Sequence, residues 1–410
     1  MACEHFLACS NTVRGRDNSS WQSSQGFSMM ETDVCVVGAG VMGSAAAHWL
    51  SKTPGLKIVL MDRYGISNEF CSSNDANRVF RYAYGKDAFY THMAVESLRL
   101  WKDLETETGE RLLVPSGLLL LHGEDQEASS FNEDSYKTLK QLGLGVEKID
   151  GTDLKRRFPQ FSAQDAYMDP HGGVLLASKI LFALGHSARG QGVRILEKCQ
   201  ATRLSFKNRP EIETSAGETI SCRKVIVTIG PWSNSLRRKE LPPITPTRQQ
   251  IVYFRSLNGL ERFRPPGFPC FFADQYYGIP AVGIEGVKVS HKNLWDPVDP
   301  DQANRSADSA AVEACRNLCA RFIPDLARGE VVRTKVCLYD MTGNSDFVLG
   351  QDPENPDVVY GYGFSGHGFK FAPLIGKLLA ELALDMPTSC NIERLSPSKT
   401  HEAPVFGPPY

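Results

Sequence analysis

Residues 33–62 read DVCVVGAGVMGSAAAHWLSKTPGLKIVLMD, and the periodicities within them decide the fold class. Asp33 to Val37 predicts a strand, Met42 to Ser51 a helix and Lys57 to Asp62 a second strand, which together form a βαβ unit. Gly38, Gly40 and Gly43 occupy the turn into that helix at G-x-G-x-x-G spacing. Glycine there permits a tight turn and lets the backbone approach a pyrophosphate, whose charge the free amides around Val41 and Met42 can bind. Asp62 follows Gly43 by nineteen residues and closes the second strand. A carboxylate in that position accepts hydrogen bonds from a ribose 2'-hydroxyl and repels a 2'-phosphate, so the unit suits FAD or NAD and not NADP. Arg63, next in the chain, joins the candidate cofactor contacts.

Outside this unit the pattern changes. Leu112 to His122 and Thr247 to Val289 contain short β-rich stretches separated by Pro and Gly, which predict a mostly antiparallel sheet. The nucleotide-type pattern returns at Lys224 to Ile229 and from Val358 to Leu384. The expected fold is therefore α/β, with a discontinuous Rossmann-like cofactor domain (31–113, 172–240 and 338–388) and a mostly antiparallel β-sheet substrate domain (114–171 and 241–337). A Ser-rich leader, 1–30, is expected to be disordered, and 389–410 to form a C-terminal tail.

Composition narrows the function classes. The chain's 410 residues suffice for two or three domains. Its 45 Lys plus Arg against 47 Asp plus Glu give a net charge of −2, so nothing attracts nucleic acid or acidic membrane surfaces in general. No apolar run approaches the roughly 20 residues of a membrane helix. Eleven cysteines lack a CxxC pair or metal-ligand spacing. They predict a reducing compartment, without a disulfide framework or a metal site. Cys315 and Cys319, four apart in a predicted helix, read as buried thiols. Without a secretory h-region or a terminal S-K-L, the cytoplasm is the default location.

Further strings carry chemistry: SSNDANRVFRYAYG at 72–85, TIGPW at 228–232, KVCLYDMT at 335–342 and GYGFSGHGFKF at 361–371. If Arg333 to Tyr339 is a strand, its period of two puts Arg333, Lys335 and Cys337 on one face, where the cations favour a reactive thiolate. Tyr339 shares that face and can line a substrate site. Gly361, Gly363, Gly366 and Gly368 clear side chains from a segment against which a flat ring can lie, ahead of a helix predicted from Lys370 to Leu384. A cation at a helix start is unfavourable by a few tenths to about 1 kcal/mol, so Lys370 calls for an anion. Arg78 and Arg81 fall on one side of a helix or on opposite sides of a strand.

Together these strings resemble the monomeric sarcosine oxidase family, which includes pipecolate and N-methyltryptophan oxidases, over about Thr32 to Leu384. The resemblance implies an FAD enzyme that oxidises the C–N bond of a secondary amino acid to an imine and reduces O2 to hydrogen peroxide. It also implies a covalent flavin bond at Cys337, a carboxylate clamp made by Lys370 and Arg81, and Arg78 close to the flavin. Ser72, Ser73, Gly230, Trp232, Gly366, His367, Gly368 and Lys370 fall among the implied cofactor contacts. Tyr277, in Tyr276-Tyr277-Gly278-Ile279-Pro280, is expected to line the substrate pocket, and Lys288 to stand where O2 reacts. His367 takes a structural role, because an amine that binds unprotonated needs no strong base.

One departure concerns substrate identity. Several relatives have a histidine four residues beyond the lysine, where this chain has Lys292, with His291 one earlier. The family's name implies a monomer. An NAD-dependent dehydrogenase and a flavin-binding scaffold without turnover are the competing readings.

Overall fold

The computed structural model describes residues 29–206, 208–292 and 295–399. Its first sheet is built around the strand Met29–Val37, which pairs in parallel with Ile58–Met61 on one side and Thr219–Val227 on the other. Thr219–Val227 in turn pairs in parallel with Val358–Tyr362, so the chain leaves this sheet and returns to it late. The helix Val41–Leu50 follows the first strand directly, as its Ala-rich sequence dictates. Ala45 and Ala46 are fully buried against the C-terminal helix Ala372–Ala383. A Cβ on Gly376 of that helix would lie 2.5 Å from the Ala45 backbone, so glycine sets how closely the two helices approach.

The second large sheet runs in the order 330–341, 245–255, 287–291, 276–279, 270–273, 118–121, 165–169 and 147–150. All its pairings are antiparallel except that of Cys270–Ala273 with Leu118–Leu121. Its fully apolar strands, LLLL at 118–121 and CFFA at 270–273, are buried on both faces. The helix Ser309–Phe322 packs beside it and buries Cys315 and Cys319 among Phe254, Phe271 and Val289. The fold is thus mixed α/β, with one parallel-dominated and one mostly antiparallel sheet.

Three expectations need correction. A third sheet, of strands 78–80, 173–175 and 113–115, was not legible in the sequence, and it carries Arg78. Three-residue strands are too short for a period to register. The expected leader 1–30 lies outside the described residues except for Met29 and Met30, which pair with Thr219 and Ile220 and so begin the first strand. The expected tail 389–410 is described to 399. Within it Arg394 holds Asp87 and Asp346, and Leu395 is fully buried. No helix among the described residues is long and apolar enough to cross a membrane.

Gly376→Val is expected to destabilise the fold by about 1–3 kcal/mol by forcing the two helices apart. A lowered urea midpoint at unchanged slope is the measurement that checks it.

Candidate active site

The glycine turn is built by close approach. Gly38 has φ +101°, and a Cβ there would stand 2.5 Å from the Thr228 carbonyl oxygen. A Cβ on Gly43 would meet the Gly38 carbonyl oxygen at 1.8 Å, so Gly43 seats the helix on the turn and does not itself border the cleft. Beyond the turn lies an extended cleft, lined by residues from the glycine turn to Phe369. Gly40, Val41 and Met42 border it at one end with Asp62 and Arg63. Gly230 and Trp232 form another part of its wall, and Gly366 and Gly368 lie at the far end with Phe369.

Local hydrogen bonds show which groups there remain available. Asp62 Oδ1 accepts from the amides of Tyr64 and Gly65, both at 2.8 Å, and Oδ2 accepts from the Ala39 amide at 2.9 Å. Oδ2 therefore keeps an acceptor direction for a ribose hydroxyl. Ser73 Oγ accepts from the Val41 amide at 3.0 Å, at the helix start where an anion would bind. Ser72 Oγ is buried on the cleft and finds no hydrogen-bond partner among the described residues. At the rim, Asp301 accepts from Arg63 at 2.5 Å and from Trp232 Nε1 at 2.9 Å. An orphaned hydroxyl, a side-chain-free turn and a ribose acceptor on one cleft fit FAD.

A second cavity, of about 80 Å3, shares Arg78, Tyr339, Gly366 and Phe369 with the cleft. Arg81, Phe272, Tyr277, Lys292, His367 and Lys370 line the rest of it with Val79 and Ser365. Gly366 is held at φ +78°, with the Tyr339 ring 2.3 Å from where a Cβ would stand, so the shared wall tolerates only glycine there. His367 and Lys370, expected at the cofactor, belong to this second cavity.

Arg78 lies in the strand Arg78–Phe80 and Arg81 just beyond it, which settles the open geometry: they serve different partners. Arg78 donates to Asp75 Oδ2 at 2.6 Å and to the Ser72 carbonyl at 2.8 Å. Lys288, fully buried in the strand Val287–His291, donates to the same Asp75 oxygen at 2.6 Å, and Tyr253 donates to Oδ1 at 2.6 Å. Burial alone would push the Asp75 carboxyl up, but Lys288 and Arg78 outweigh it and hold the group well below the usual carboxylate range. With two cations to one carboxylate, burial wins at Lys288 and lowers its ammonium to about 8.

Arg81 turns the other way. Its guanidinium stacks 3.9 Å from the Tyr84 ring centroid and 5.2 Å from that of Phe272, and donates to the Ala83 carbonyl. Lys370 lies in a 3₁₀ turn, Phe369–Phe371, just ahead of the helix that was expected to include it. Its ammonium donates to the Tyr84 hydroxyl at 2.7 Å and the His367 carbonyl at 2.6 Å. Burial, then repulsion from Arg81, keeps Lys370 well below its ordinary value. The same two influences, burial and nearby positive charge from Lys370, hold His367 well below its own, so the ring is neutral.

Cys337 sits in the long strand Glu330–Met341, opposite Gln249, and is 2% exposed. Lys335, as the alternation of the strand predicts, and Arg78 and Lys288 from other elements pull its thiol down, but burial outweighs them and the thiol stays above its usual value; Arg333, expected beside it, pairs with Glu285. The expectation of a favoured thiolate is corrected accordingly. Neither Cys337 nor Lys288 lines the cleft or the second cavity, although Leu338 lines the cleft and Tyr339 lines both.

Lys292 lines the second cavity, whereas His291 packs edge-on against Tyr276 with ring centroids 5.0 Å apart. Asp75, Tyr84 and Phe272 escaped sequence reasoning. The first two lie inside the quoted string at 72–85, Asp75 three residues before Arg78 and Tyr84 three residues after Arg81, and that spacing was the available signal.

A model of the FAD dependent oxidoreductase family matches residues 33–382. The chain belongs to that family. It is 31% identical to a monomeric sarcosine oxidase of Bacillus sp. (strain B-0618) over 376 residues, 89% of this chain and 95% of that protein. To the peroxisomal sarcosine oxidase of Homo sapiens it is 30% identical over 390 residues, 92% of this chain and 97% of the other. Among solved structures, NikD, described as an unusual amino acid oxidase essential for nikkomycin biosynthesis, has a TM-score of 0.78 at 24% identity, covering 91% of this chain and 99% of that one. The protein is an FAD-dependent amine or amino acid oxidase of the sarcosine oxidase type, which sets aside the nicotinamide reading.

Replacing Asp75 by Asn leaves Arg78 and Lys288 buried without a counter-charge. We expect a loss of about 3–5 kcal/mol, read as a lower denaturant midpoint.

Proposed function

We propose that the protein oxidises the C–N bond of a secondary amino acid, N-alkyl or cyclic, to an imine and forms hydrogen peroxide from O2. The observation that carries this reading is the shared wall: Arg81 and Lys370 stand in the cavity beyond it, opposite the dinucleotide cleft. FAD, when bound, would accept the α-hydrogen with its two electrons as hydride while the amine C–N becomes C=N and loses the nitrogen proton, and would supply those electrons for the reduction of O2 with two protons to hydrogen peroxide. We assign it to the unit of 31–113, 172–240 and 338–388, with 114–171 and 241–337 closing the substrate side.

Arg81 and Lys370 grip the substrate carboxylate, the arginine through its planar fork. That anion relieves the repulsion between the two cations and favours the charged form of Lys370. Tyr277 and Phe272 supply an apolar wall that orients the amine and excludes water. Neutral His367 and the Tyr84 hydroxyl fix Lys370 in place and move no proton, since the amine enters unprotonated. Lys288, desolvated behind the wall, stabilises the negative charge that develops as O2 is reduced. Cys337 is our assignment for the covalent flavin attachment, supported by its strand position beside Arg78, Lys288 and the cleft-lining Leu338 and Tyr339. A monomer in the cytoplasm completes the reading; gel filtration and cell fractionation test those two points.

A panel of sarcosine, larger N-methyl amino acids, pipecolate and proline, read by flavin bleaching without oxygen, tests the activity. At least one should bleach the flavin and yield peroxide on aeration, and bleaching by none would favour a scaffold. The colour should stay with acid-precipitated protein and wash out of Cys337→Ser. Lys288→Met should slow reoxidation by about 10²–10³-fold and leave flavin reduction far less affected. Because the Lys288 ammonium loses its proton as pH rises through about 8, the wild-type reoxidation rate should fall across that range.

A further inference from the structure

The second cavity is lined by the cations Arg78, Arg81, Lys292 and Lys370 and by no carboxylate. Arg78 is neutralised by Asp75, and one substrate carboxylate serves Arg81 and Lys370. Lys292 is left over. It is 9% exposed, and no hydrogen bond or ion pair joins its ammonium to a described residue. Its contacts are aromatic: Nζ lies 4.7 Å from the Phe272 centroid and 5.7 Å from that of Phe131.

Asp125, Asp274 and Glu127 attract it from outside the cavity lining, and no hydrogen bond or ion pair joins any of them to its ammonium. Asp125 caps the helix Gln126–Gln141 through the Ala128 amide and accepts from Gln275 at 3.0 Å. Asp274 pairs with Arg321 at 2.8 Å. Arg81 also meets the Phe272 ring, 5.2 Å from its centroid, so the two charges stand no more than about 10 Å apart. Desolvating an ammonium costs several kcal/mol unless an anion meets it, and this one borders the second cavity with no carboxylate beside it on the wall.

We infer that Lys292 is the specificity-determining residue and that the substrate carries a second carboxylate, making it an N-alkyl amino dicarboxylic acid. This rests on the oxidase reading given above. One carboxylate lies between Arg81 and Lys370, the other reaches Lys292 across the Phe272 ring, and the apolar stem of the substrate lies along that ring. Burial and Arg81 lower the Lys292 ammonium to about 7, and a bound carboxylate would restore its charge.

The test uses the holoenzyme. N-methyl-L-aspartate and N-methyl-L-glutamate are compared with N-methyl-L-asparagine and N-methyl-L-glutamine, which match them in shape and lack the second charge. In parallel, glutarate and its monoamide, neither of which can be oxidised, are titrated against the flavin absorbance. The diacids should exceed the amides by at least about 10-fold in kcat/KM, and glutarate should bind at least about 10-fold tighter than its monoamide, as expected for a charge-assisted hydrogen bond. Lys292→Gln should abolish both ratios and Lys292→Arg should keep them. Amides that equal the diacids in the wild type, or a preference that survives Lys292→Gln, would overturn the inference even if amines are oxidised. If no amine bleaches the flavin while glutarate retains its Lys292-dependent advantage, the oxidase reading fails and the subsite stands. Should Lys292→Gln not fold, the wild-type ratios decide.

Discussion

The buried carboxylate of Asp75 joins all the parts of the site. It accepts from Arg78 of the small sheet and from Lys288 and Tyr253 of the antiparallel sheet. Its own carbonyl takes the Ser178 hydroxyl at 2.7 Å, at the start of the helix Ala177–Gly190 that packs on the first helix of the nucleotide unit. A single ion cluster therefore spans elements that are distant in sequence. Such clusters contribute little net stability compared with an apolar core, but losing one member leaves charge without compensation. The relative placement of the dinucleotide cleft and the second cavity follows from this constraint.

The same cluster divides the positive charge of the site. Asp75 answers Arg78 and Lys288 together, and burial lowers the Lys288 ammonium to about 8. Beyond the wall, Arg81, Lys370 and Lys292 crowd together over the faces of Tyr84, Phe272 and Phe131. Ring faces lessen the cost of burying cations by about 1–2 kcal/mol each but cannot cancel it. The residual positive charge is what our proposal matches with the carboxylates of the substrate.

The fingerprint at 33–62, its acid and the later return to a parallel sheet were legible because each depends on contacts within one βαβ unit or on a strand long enough to show its period. The candidate cations in the quoted strings were legible as well. Lys370 was misplaced by one structural turn, since Gly368 and Pro373 delay the helix to Ala372. The thiolate at Cys337 was overestimated because alternation along a strand reveals which neighbours share a face and says nothing about how much water is excluded.

The sequence by itself determined the dinucleotide turn, the two kinds of sheet and the residue types available for redox chemistry, since spacing and periodicity are properties of the chain. Only the tertiary structure decided that Asp75 pairs with Lys288, 213 residues away, and that Lys292 rather than His291 enters the second cavity. Counter-charge and burial arise from segments meeting in space, and no local pattern encodes which segments meet.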